Sequence, residues 1–310
     1  MNITDKCDSQ CTTCDRWKNN IHELSIVDCN KIILEFKAIS PFGLVVITGG
    51  EPLTNFSKLK CILQLCKNLK LKVKLETNGN SFLDFYRKYY DLCNNSIFCL
   101  RLSFNSLDKK LNNISRGMNN SWEIQHKILS EIDRTKIKVW CNAILGDFTL
   151  DTFIDTYNYC KKIFDKFSFS LMVKNLWGNN KFEKFNNIDK YIEIIDYLKN
   201  NSNSFLTNLS FELEEKKQLI KIGESFTLQR KCLAPLDYIM VQADGSLSLC
   251  WNYDNQINTN YNKIIGNMKE INLINLYDIT NTSFNKYREQ LYTNCNKWCG
   301  SQECHLPITL

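Results

Sequence analysis

Three cysteines near the start of the chain could hold a metal site. Cys7, Cys11 and Cys14 are spaced as C-x3-C-x2-C. Three thiolates at this spacing can bind three irons of a cubane [4Fe–4S] cluster and leave the fourth iron open, and an open coordination position distinguishes a catalytic metal site from a closed structural one. The same thiols could instead bind zinc, with a fourth ligand such as His22. From these residues alone, both interpretations stay open.

A second candidate site follows an apolar segment. Gly49, Gly50 and Glu51 come directly after the run G-L-V-V-I-T, which is typical of a buried parallel strand. Ligands bind at the carboxyl ends of such strands in α/β folds. The glycines would let backbone groups approach a ligand closely, and Glu51 offers an acceptor for a cationic group. A plain turn into a helix is the alternative interpretation.

Strand-like and helix-like segments alternate as far as about residue 175, which predicts repeated βα units and a parallel sheet with helices outside it. A short strand before Cys7 would bring the number of units to about six, a partial barrel. We expect strands over 43–48, 71–76, 97–104, 137–143 and 167–172, and helices over 27–38, 56–69, 82–92, 122–133, 152–164 and 188–198. A hairpin is predicted around Asp244 and Gly245.

Composition excludes several classes of protein. The net charge of +6 arises from charges scattered along 310 residues, which favours a solvated surface over nucleic-acid binding. No apolar run approaches the roughly 20 residues of a membrane span, and no export signal precedes the first cysteines. Fifteen cysteines without such a signal indicate reduced thiols and metal binding in a cytoplasmic protein that contacts neither nucleic acid nor membrane.

The cysteine triplet and Gly49-Gly50-Glu51-Pro52 together resemble the radical S-adenosylmethionine (SAM) enzymes. Three later segments resemble the same family: T-N-G at 77–79, S-F-N at 103–105, and R-G at 116–117 followed by S-W. The resemblance implies a [4Fe–4S] cluster on the three cysteines, with SAM bound to its open iron. The cofactor-binding residues that it implies are Gly49, Gly50, Glu51, Thr77, Asn78, Ser103, Asn105 and Arg116.

The resemblance also implies a reaction. One electron, from a donor such as flavodoxin or ferredoxin, would cleave SAM to a 5′-deoxyadenosyl radical that abstracts hydrogen from a substrate. The substrate would be a sugar-like small molecule or a peptide. Because only six residues precede Cys7, we expect no leader-gripping domain before it, which tilts the expectation towards a small molecule. No residue is identified as a catalytic acid or base.

The C-terminal cysteines resemble the SPASM/Twitch extension of this family. Cys232, Gly245 and Cys250 match its C-x9-15-G-x4-C element, and Cys295, Cys299 and Cys304 follow. The resemblance implies one auxiliary [4Fe–4S] cluster, since these five cysteines are fewer than a full SPASM domain supplies; a C-terminal zinc knuckle is the alternative. The expected fold is therefore α/β: a partial (β/α)6 TIM-like barrel over 1–200 and a small C-terminal α+β iron–sulfur domain over 201–310.

The other seven cysteines are interpreted as small buried residues because most fall inside predicted helices and strands. They are Cys29, Cys61, Cys66, Cys93, Cys99, Cys141 and Cys160. The rival hypothesis for the whole chain is a non-catalytic binding or electron-transfer protein that is stapled by zinc or iron–sulfur centres. A Gly-Gly-Glu loop beside three cysteines favours the enzyme, because a structural staple has no use for an open coordination site.

Overall fold

The computed structural model describes residues 1–18, 21–172, 185–201, 204–208, 210–222, 239–249, 265–278, 281, 284–286 and 289. Within these ranges, no helix is both long enough and apolar enough to cross a membrane.

Five parallel strands form the central sheet in the order β1–β2–β3–β4–β5, which confirms the predicted α/β class. Each edge carries one further parallel bridge, Asn2 with Thr48 beside β1 and Phe167 with Leu206 beside β5. The short strand predicted before Cys7 is therefore a single bridge, and strand pairing continues past residue 200, where we placed the end of the barrel. The strands are β1 (Leu44–Ile47), β2 (Lys72–Thr77), β3 (Ile97–Ser103), β4 (Lys138–Leu145) and β5 (Lys166–Leu171).

Helices follow the strands in the order expected of βα units. The first begins at a capping box formed by Ser25 and Asp28, which satisfies backbone N–H groups at its amino end. The helices are α1 (Ile26–Ile39), α2 (Phe56–Asn68), α3 (Phe82–Lys88), α4 (Tyr90–Ser96), α5 (Lys109–Arg116), α6 (Ser121–Glu131), α7 (Phe153–Ile163), α8 (Ile188–Asn201), α9 (Ser210–Ile222) and α10 (Leu273–Leu276).

Two predictions about helices were wrong. The single helix expected over 82–92 is two helices, because Tyr89 leaves the helical conformation with φ −128° and ψ 43°. No helix was expected between residues 104 and 122, but this segment contains α5, which begins after the N-cap Asp108 and is followed by Gly117 in the left-handed region, φ +60°. This helix has only eight residues, and its two apolar side chains, Leu111 and Ile114, are too few to reveal a helix in the sequence.

The two faces of the sheet differ in chemistry. One face is apolar and packs under helices: Phe153 of α7 contacts the rings of Phe167 and Phe169 on β5 at centroid distances of 6.1 and 5.6 Å. The alternate positions along β2 to β5 are half-buried and largely polar. A parallel sheet buried on both faces is normally apolar on both. The polar face therefore marks the side that is available for chemistry.

A second sheet of three antiparallel strands lies in the C-terminal part of the chain. Its strands are β6 (Met240–Val241), β7 (Ser246–Ser248) and β8 (Gly266–Asn267), so the predicted hairpin at Asp244 and Gly245 is confirmed. This region packs on the barrel: the Leu273 N–H donates to the buried Glu35 carboxylate at 2.7 Å, and the Lys31 ammonium donates to the Met268 carbonyl at 2.5 Å.

Six of the seven cysteines interpreted as interior residues are buried, but Cys61 is exposed. It lies on α2, whose buried face carries Leu59, Ile62 and Cys66. The prediction failed at Cys61 because residue type alone does not say which side of a helix faces solvent.

Candidate cofactor site

The loop that carries the three N-terminal cysteines lies over the carboxyl ends of β1, β2 and β3, because it contacts the segments that follow these strands. Cys11 is buried, whereas Cys7 and Cys14 are half-buried. Burial raises the pKa of the Cys7 thiol to about 12 and also raises that of Cys11, and in each case a neighbouring cysteine of the loop adds to the rise. A metal that binds here must displace thiol protons.

Gly49 and Gly50 lie in close contact with the segment that leads into this loop. The Gly50 N–H donates to the Thr4 carbonyl at 2.6 Å, and the Glu51 N–H donates to the Lys6 carbonyl at 2.7 Å. A side chain at Gly49 would place its Cβ 2.5 Å from the Thr4 carbonyl oxygen, and one at Gly50 would collide with the Lys6 carbonyl. The glycines are therefore required for the approach of the chain's own N-terminal segment, a role that the sequence analysis did not assign to them.

Glu51 is 1% exposed, and its carboxylate is bound from within the protein. It accepts hydrogen bonds from the Leu53 N–H at 3.0 Å, the Thr77 hydroxyl at 2.8 Å and the Asn78 N–H at 2.7 Å. Burial raises the pKa of Glu51 to about 7, although these three hydrogen bonds oppose the rise. The carboxylate thus joins the ends of β1 and β2. Its predicted contact with a cationic ligand stays a prediction.

Asn78 connects the end of β2 to the cysteine loop. Its side-chain amide donates to the Asp8 carboxylate and to the Ser9 hydroxyl, both at 2.7 Å. Asn80 donates to the other oxygen of Asp8 at 2.6 Å. Two amides therefore hold one carboxylate between Cys7 and Cys11, which explains why the T-N-G segment belongs to the site.

The carboxyl end of α5 also contacts the cysteine loop. The Cys11 thiol donates to the Arg116 carbonyl at 3.3 Å, and the Thr12 N–H donates to the Ser115 carbonyl at 3.1 Å. Gly117 is required here by its positive φ and because a Cβ would collide with the Gln10 carbonyl. The R-G pair therefore positions the cluster loop through its backbone.

Arg116 also supplies a charge beside the loop. Its side chain is buried, 8% exposed, and its Nε–H has no hydrogen-bond partner in the part of the chain that the structure describes. Burial raises the pKa of Cys11, and the Arg116 charge acts against that rise. A buried guanidinium N–H without an acceptor is costly unless an anionic group binds it. Arg116 therefore fits a ligand that carries a carboxylate, or a cluster held by thiolates.

The two residues predicted on β3 differ in their surroundings. Ser103 ends the strand on the polar face and is half-buried. Asn105 is fully buried: its Nδ2 donates to the Ser115 hydroxyl at 3.0 Å, and its Oδ1 accepts from the Ile144 N–H at 3.1 Å. Asn105 thus holds α5 against β4, and its contact with a cofactor stays a prediction.

The polar face carries a charged network that the sequence analysis missed. Arg101 donates to Glu76 at 2.8 Å and to Asn142 at 2.6 Å, and Lys74 lies 3.1 Å from the same Glu76 oxygen. Ser168 extends the network, 2.9 Å from Asn142. Burial raises the pKa of Glu76, but the charges of Lys74 and Arg101 outweigh it and hold that pKa well below its usual range. Alternating charge within otherwise apolar parallel strands was the available signal.

The predicted auxiliary ligands Cys232, Cys250, Cys295, Cys299 and Cys304 lie outside the described residues. Among the residues described, no three His, Cys, Asp or Glu side chains converge on a point where one metal ion could bind. Ligands of a cubane need not converge in this way, since each thiolate binds a different iron. The donor set of three thiols and the unpartnered N–H of Arg116 therefore fit an iron–sulfur cluster with an anionic ligand beside it.

Comparison with known proteins decides the family. The family model of the radical SAM superfamily matches residues 1–160, more than half of the chain. The chain belongs to the radical SAM superfamily. Over 74 residues it is 35% identical to 7-carboxy-7-deazaguanine synthase of Hyperthermus butylicus, an alignment that covers 24% of this chain and 31% of that relative. It is thus aligned with about a third of the length of the curated relative that it matches.

Solved structures of radical SAM enzymes share the fold. SuiB of Streptococcus suis bound to S-adenosylmethionine matches with a TM-score of 0.67 and 19% identity, over 92% of this chain and 66% of SuiB. SuiB bound to its precursor peptide SuiA gives 0.64 and 19%, over 95% and 65%. BtrN in complex with AdoMet and 2-DOIA gives 0.50 and 11%, over 94% and 85%. This radical SAM protein therefore has a partial TIM-like barrel, and its family implies a [4Fe–4S] cluster and SAM.

Proposed function

We propose that this radical SAM protein is an enzyme that oxidatively modifies a peptide or a sugar-like small molecule with the help of an auxiliary [4Fe–4S] cluster. The observation that carries the proposal is the cysteine loop. Of its three thiols, that of Cys11 lies beside the buried Arg116, and the loop is bound by segments following three successive strands. A structural staple has no need of an anion-binding guanidinium at its edge.

The residues divide the work of binding and positioning. Cys7, Cys11 and Cys14 would hold the cluster, and Arg116 would bind the carboxylate of SAM. Gly49 and Gly50 would present backbone groups to SAM. When bound, the cluster and SAM supply the 5′-deoxyadenosyl radical, and the protein contributes orientation and exclusion of water.

Glu51, Asn78 and Asn105 keep these groups in register, through hydrogen bonds that join Glu51 to Asn78, Asn78 to Ser9 of the loop, and Asn105 to Ser115 of α5. Ser103 and the polar face around Arg101 and Asn142 would form the floor on which substrate and SAM meet. An ion-pair network held in one arrangement by several hydrogen bonds suits this task, because it need not reorganise when polar substrate groups arrive.

An auxiliary cluster on Cys232, Cys250 and two or more of the last three cysteines is part of the proposal. Two observations support it. The antiparallel sheet β6–β7–β8 pairs Ser246 and Leu247 with the 266–267 segment, and β7 ends at Ser248, two residues before Cys250. The fold similarity to SuiB also extends over 92–95% of this chain, and so beyond the barrel.

The substrate class rests on comparison and on the polar floor. The SuiB structure with a bound precursor peptide supports a peptide, and the BtrN complex supports a small molecule. This chain spans about two thirds of the length of SuiB. We infer that the modified group is polar, because the face that would receive it carries Glu76, Arg101, Asn142 and Ser168.

The test is anaerobic reconstitution followed by iron and sulfide analysis and assay of 5′-deoxyadenosine with dithionite. We expect about eight irons per chain, four for each of two cubanes, and release of 5′-deoxyadenosine from SAM. About four irons with turnover would remove the auxiliary cluster from the proposal. Zinc in place of iron, with no cleavage of SAM, would overturn the enzyme and favour the non-catalytic, metal-stapled protein.

A further inference from the structure

We propose that a small acidic flavoprotein of the flavodoxin type docks on the exposed face of α5 and delivers electrons to the cluster loop from there. This inference rests on the proposed function, which requires one electron for each SAM that is cleaved. In the delivery step, the reduced flavin loses one electron, the cluster gains it, and no group is transferred.

The docking surface is an open cleft of about 550 Å3 at the end of α5. The lining residues are Lys109, Lys110, Asn113, Ile114, Gly117, Met118 and Asn119. Ile114 is 56% exposed although it is apolar. Its side chain can therefore give apolar contact to a partner that enters the cleft.

The cleft adjoins the cysteine loop directly. The Ser9 hydroxyl donates to the Met118 sulfur at 2.9 Å, and the backbone of Gly117 lies against the Gln10 carbonyl. The Arg116 carbonyl, one residue from the cleft, accepts from the Cys11 thiol at 3.3 Å. The route from solvent to a predicted cluster ligand is therefore short at this point and runs through bonded and hydrogen-bonded atoms.

The charge of the cleft suits an acidic partner. Two of the lining residues are lysines, and none is acidic. Lys110 is exposed and forms no ion pair with the described residues; Lys109 pairs with Glu123, but both side chains are well exposed. An exposed pair contributes little to stability, so Lys109 can exchange Glu123 for a carboxylate of the donor. Steering by complementary charge accelerates such transient encounters, which use small interfaces.

The lining favours a flavin over an iron–sulfur carrier. The exposed edge of a flavin is flat and apolar, and Ile114 and Met118 offer it apolar contact inside the ring of charge. A donor of the ferredoxin type would keep its cluster beneath a protein loop and would have little use for an apolar cleft. Flavodoxin is therefore the partner that this surface favours, and the test below distinguishes it from ferredoxin.

Binding is tested first, on the cluster-loaded full chain, with purified flavodoxin as the probe. Carbodiimide cross-linking, which joins lysines to carboxylates, should connect flavodoxin to Lys109 or Lys110, as identified by mass spectrometry. Lys109→Glu/Lys110→Glu should weaken flavodoxin binding at least about tenfold, and binding to the wild-type protein should weaken as salt rises. Lys136→Glu/Lys138→Glu makes the same change of charge at exposed positions before and at the amino end of β4 and should leave binding unaltered.

Kinetic measurements then separate a defect in flavodoxin docking from a defect in SAM cleavage. The double variant at Lys109 and Lys110 should need about tenfold more flavodoxin for half-maximal 5′-deoxyadenosine release, yet match the wild type when dithionite is the reductant. If it loses activity with both reductants, Ile114→Gln decides by the same binding assay.

Unchanged flavodoxin binding in both variants, cross-links elsewhere, or docking of ferredoxin alone would overturn the proposal. If the wild type releases no 5′-deoxyadenosine even with dithionite, the proposed function fails. The binding and cross-linking experiments then still test whether flavodoxin docks on this surface.

Discussion

The cysteines of the loop and the cysteines beneath the sheet are the same residue in two settings. Burial raises the pKa of Cys7 to about 12, and it raises the pKa of Cys66 and Cys93 to the same value. Thiol acidity therefore does not separate the two groups. The neighbouring groups separate Cys11 from Cys66 and Cys93: the loop places Cys11 beside Arg116 and within electrostatic reach of another thiol, whereas burial is the only influence that shifts the pKa of Cys66 and Cys93.

The backbone accounts for this difference. Interior cysteines lie on helices or strands whose N–H and carbonyl groups bond to each other. The cysteine loop has no strand pairing of its own, and it is held by Gly50 and Asn78 from the ends of β1 and β2 and by Ser115 of α5. A metal site needs thiols that are fixed in position yet face one another, and a loop tied at several points provides both.

Among the substitutions that test this comparison, Cys11→Ala has the largest expected effect. The loop should lose its cluster, and 5′-deoxyadenosine release should fall below detection, because two thiolates leave a cubane without one of its three protein ligands. Iron bound by the C-terminal cysteines should remain, as measured by iron analysis of the reconstituted protein. Cys61→Ala, at the exposed cysteine of α2, is the control and should keep all iron and activity. Loss of all iron in Cys11→Ala would contradict two independent sites.

A smaller effect is expected at Arg116, which distinguishes the loop from any other group of cysteines. Arg116→Lys keeps a positive charge but loses the Nε–H that lacks a partner in the described structure. A charge-assisted hydrogen bond contributes about 1.5–3 kcal/mol, so the dissociation constant for SAM should rise roughly 10–100-fold. Equilibrium binding of SAM to the cluster-loaded protein measures this.

The matched control for Arg116 is Arg87→Lys. Arg87 forms its ion pair with Glu131 on the surface, at 50% and 31% exposure of the two side chains. SAM binding should not change in that variant. An unaltered dissociation constant in Arg116→Lys would remove Arg116 from the SAM site.

The sequence predicted this site unevenly. The cysteine triplet and the Gly-Gly-Glu segment were recognisable because their spacing is local. The partners of Asp8 were not, because Asn78 and Asn80 reach it only when the end of β2 is folded over the loop. The same holds for the network of Arg101, which joins four strands that lie far apart in the chain.

The fold was more predictable than the site, for a physical reason. Parallel strands of alternating or continuous apolar residues are specified by burial, and each of the five was placed within a few residues. Helix α5 was missed because caps rather than an apolar stripe define it. The break between α3 and α4 at Tyr89 was missed because no Pro or Gly marks it in the sequence.

Glu51→Gln tests whether the Glu51 carboxylate stabilises the strand ends that hold the cysteine loop. At pH 8 the ionised carboxylate accepts three hydrogen bonds, whereas an amide would turn its NH2 group towards one of the donors. An unsatisfied buried donor costs about 1–3 kcal/mol. Removing a carboxylate whose ionised form is disfavoured by burial offsets part of that cost, so the free energy of unfolding of the cluster-free protein should fall by less than about 3 kcal/mol in urea titrations. Glu214→Gln, which removes the carboxylate of an exposed ion pair with Lys199, should cost less.

The same carboxyl group should make stability depend on pH. Because burial raises the pKa of Glu51 from 4.5 to about 7, the folded protein binds more protons than the unfolded chain between these values. The free energy of unfolding should therefore decrease as pH rises through this window, and Glu51→Gln should remove that part of the slope. A slope that is identical in the two proteins would show that Glu51 is ionised throughout.

The smallest effect comes from two cysteines on one helix. Cys66 and Cys61 both lie on α2, but Cys66 is 0% exposed, whereas Cys61 faces solvent. Cys66→Ser should lower the free energy of unfolding by about 1 kcal/mol, since a buried hydroxyl loses its water and recovers only part of that cost from a backbone carbonyl in the preceding turn. Cys61→Ser should change nothing measurable in the same urea titration. If both variants also keep full iron content, neither cysteine of α2 binds iron; loss of iron in Cys66→Ser would mean that an interior thiol helps to hold the cluster loop.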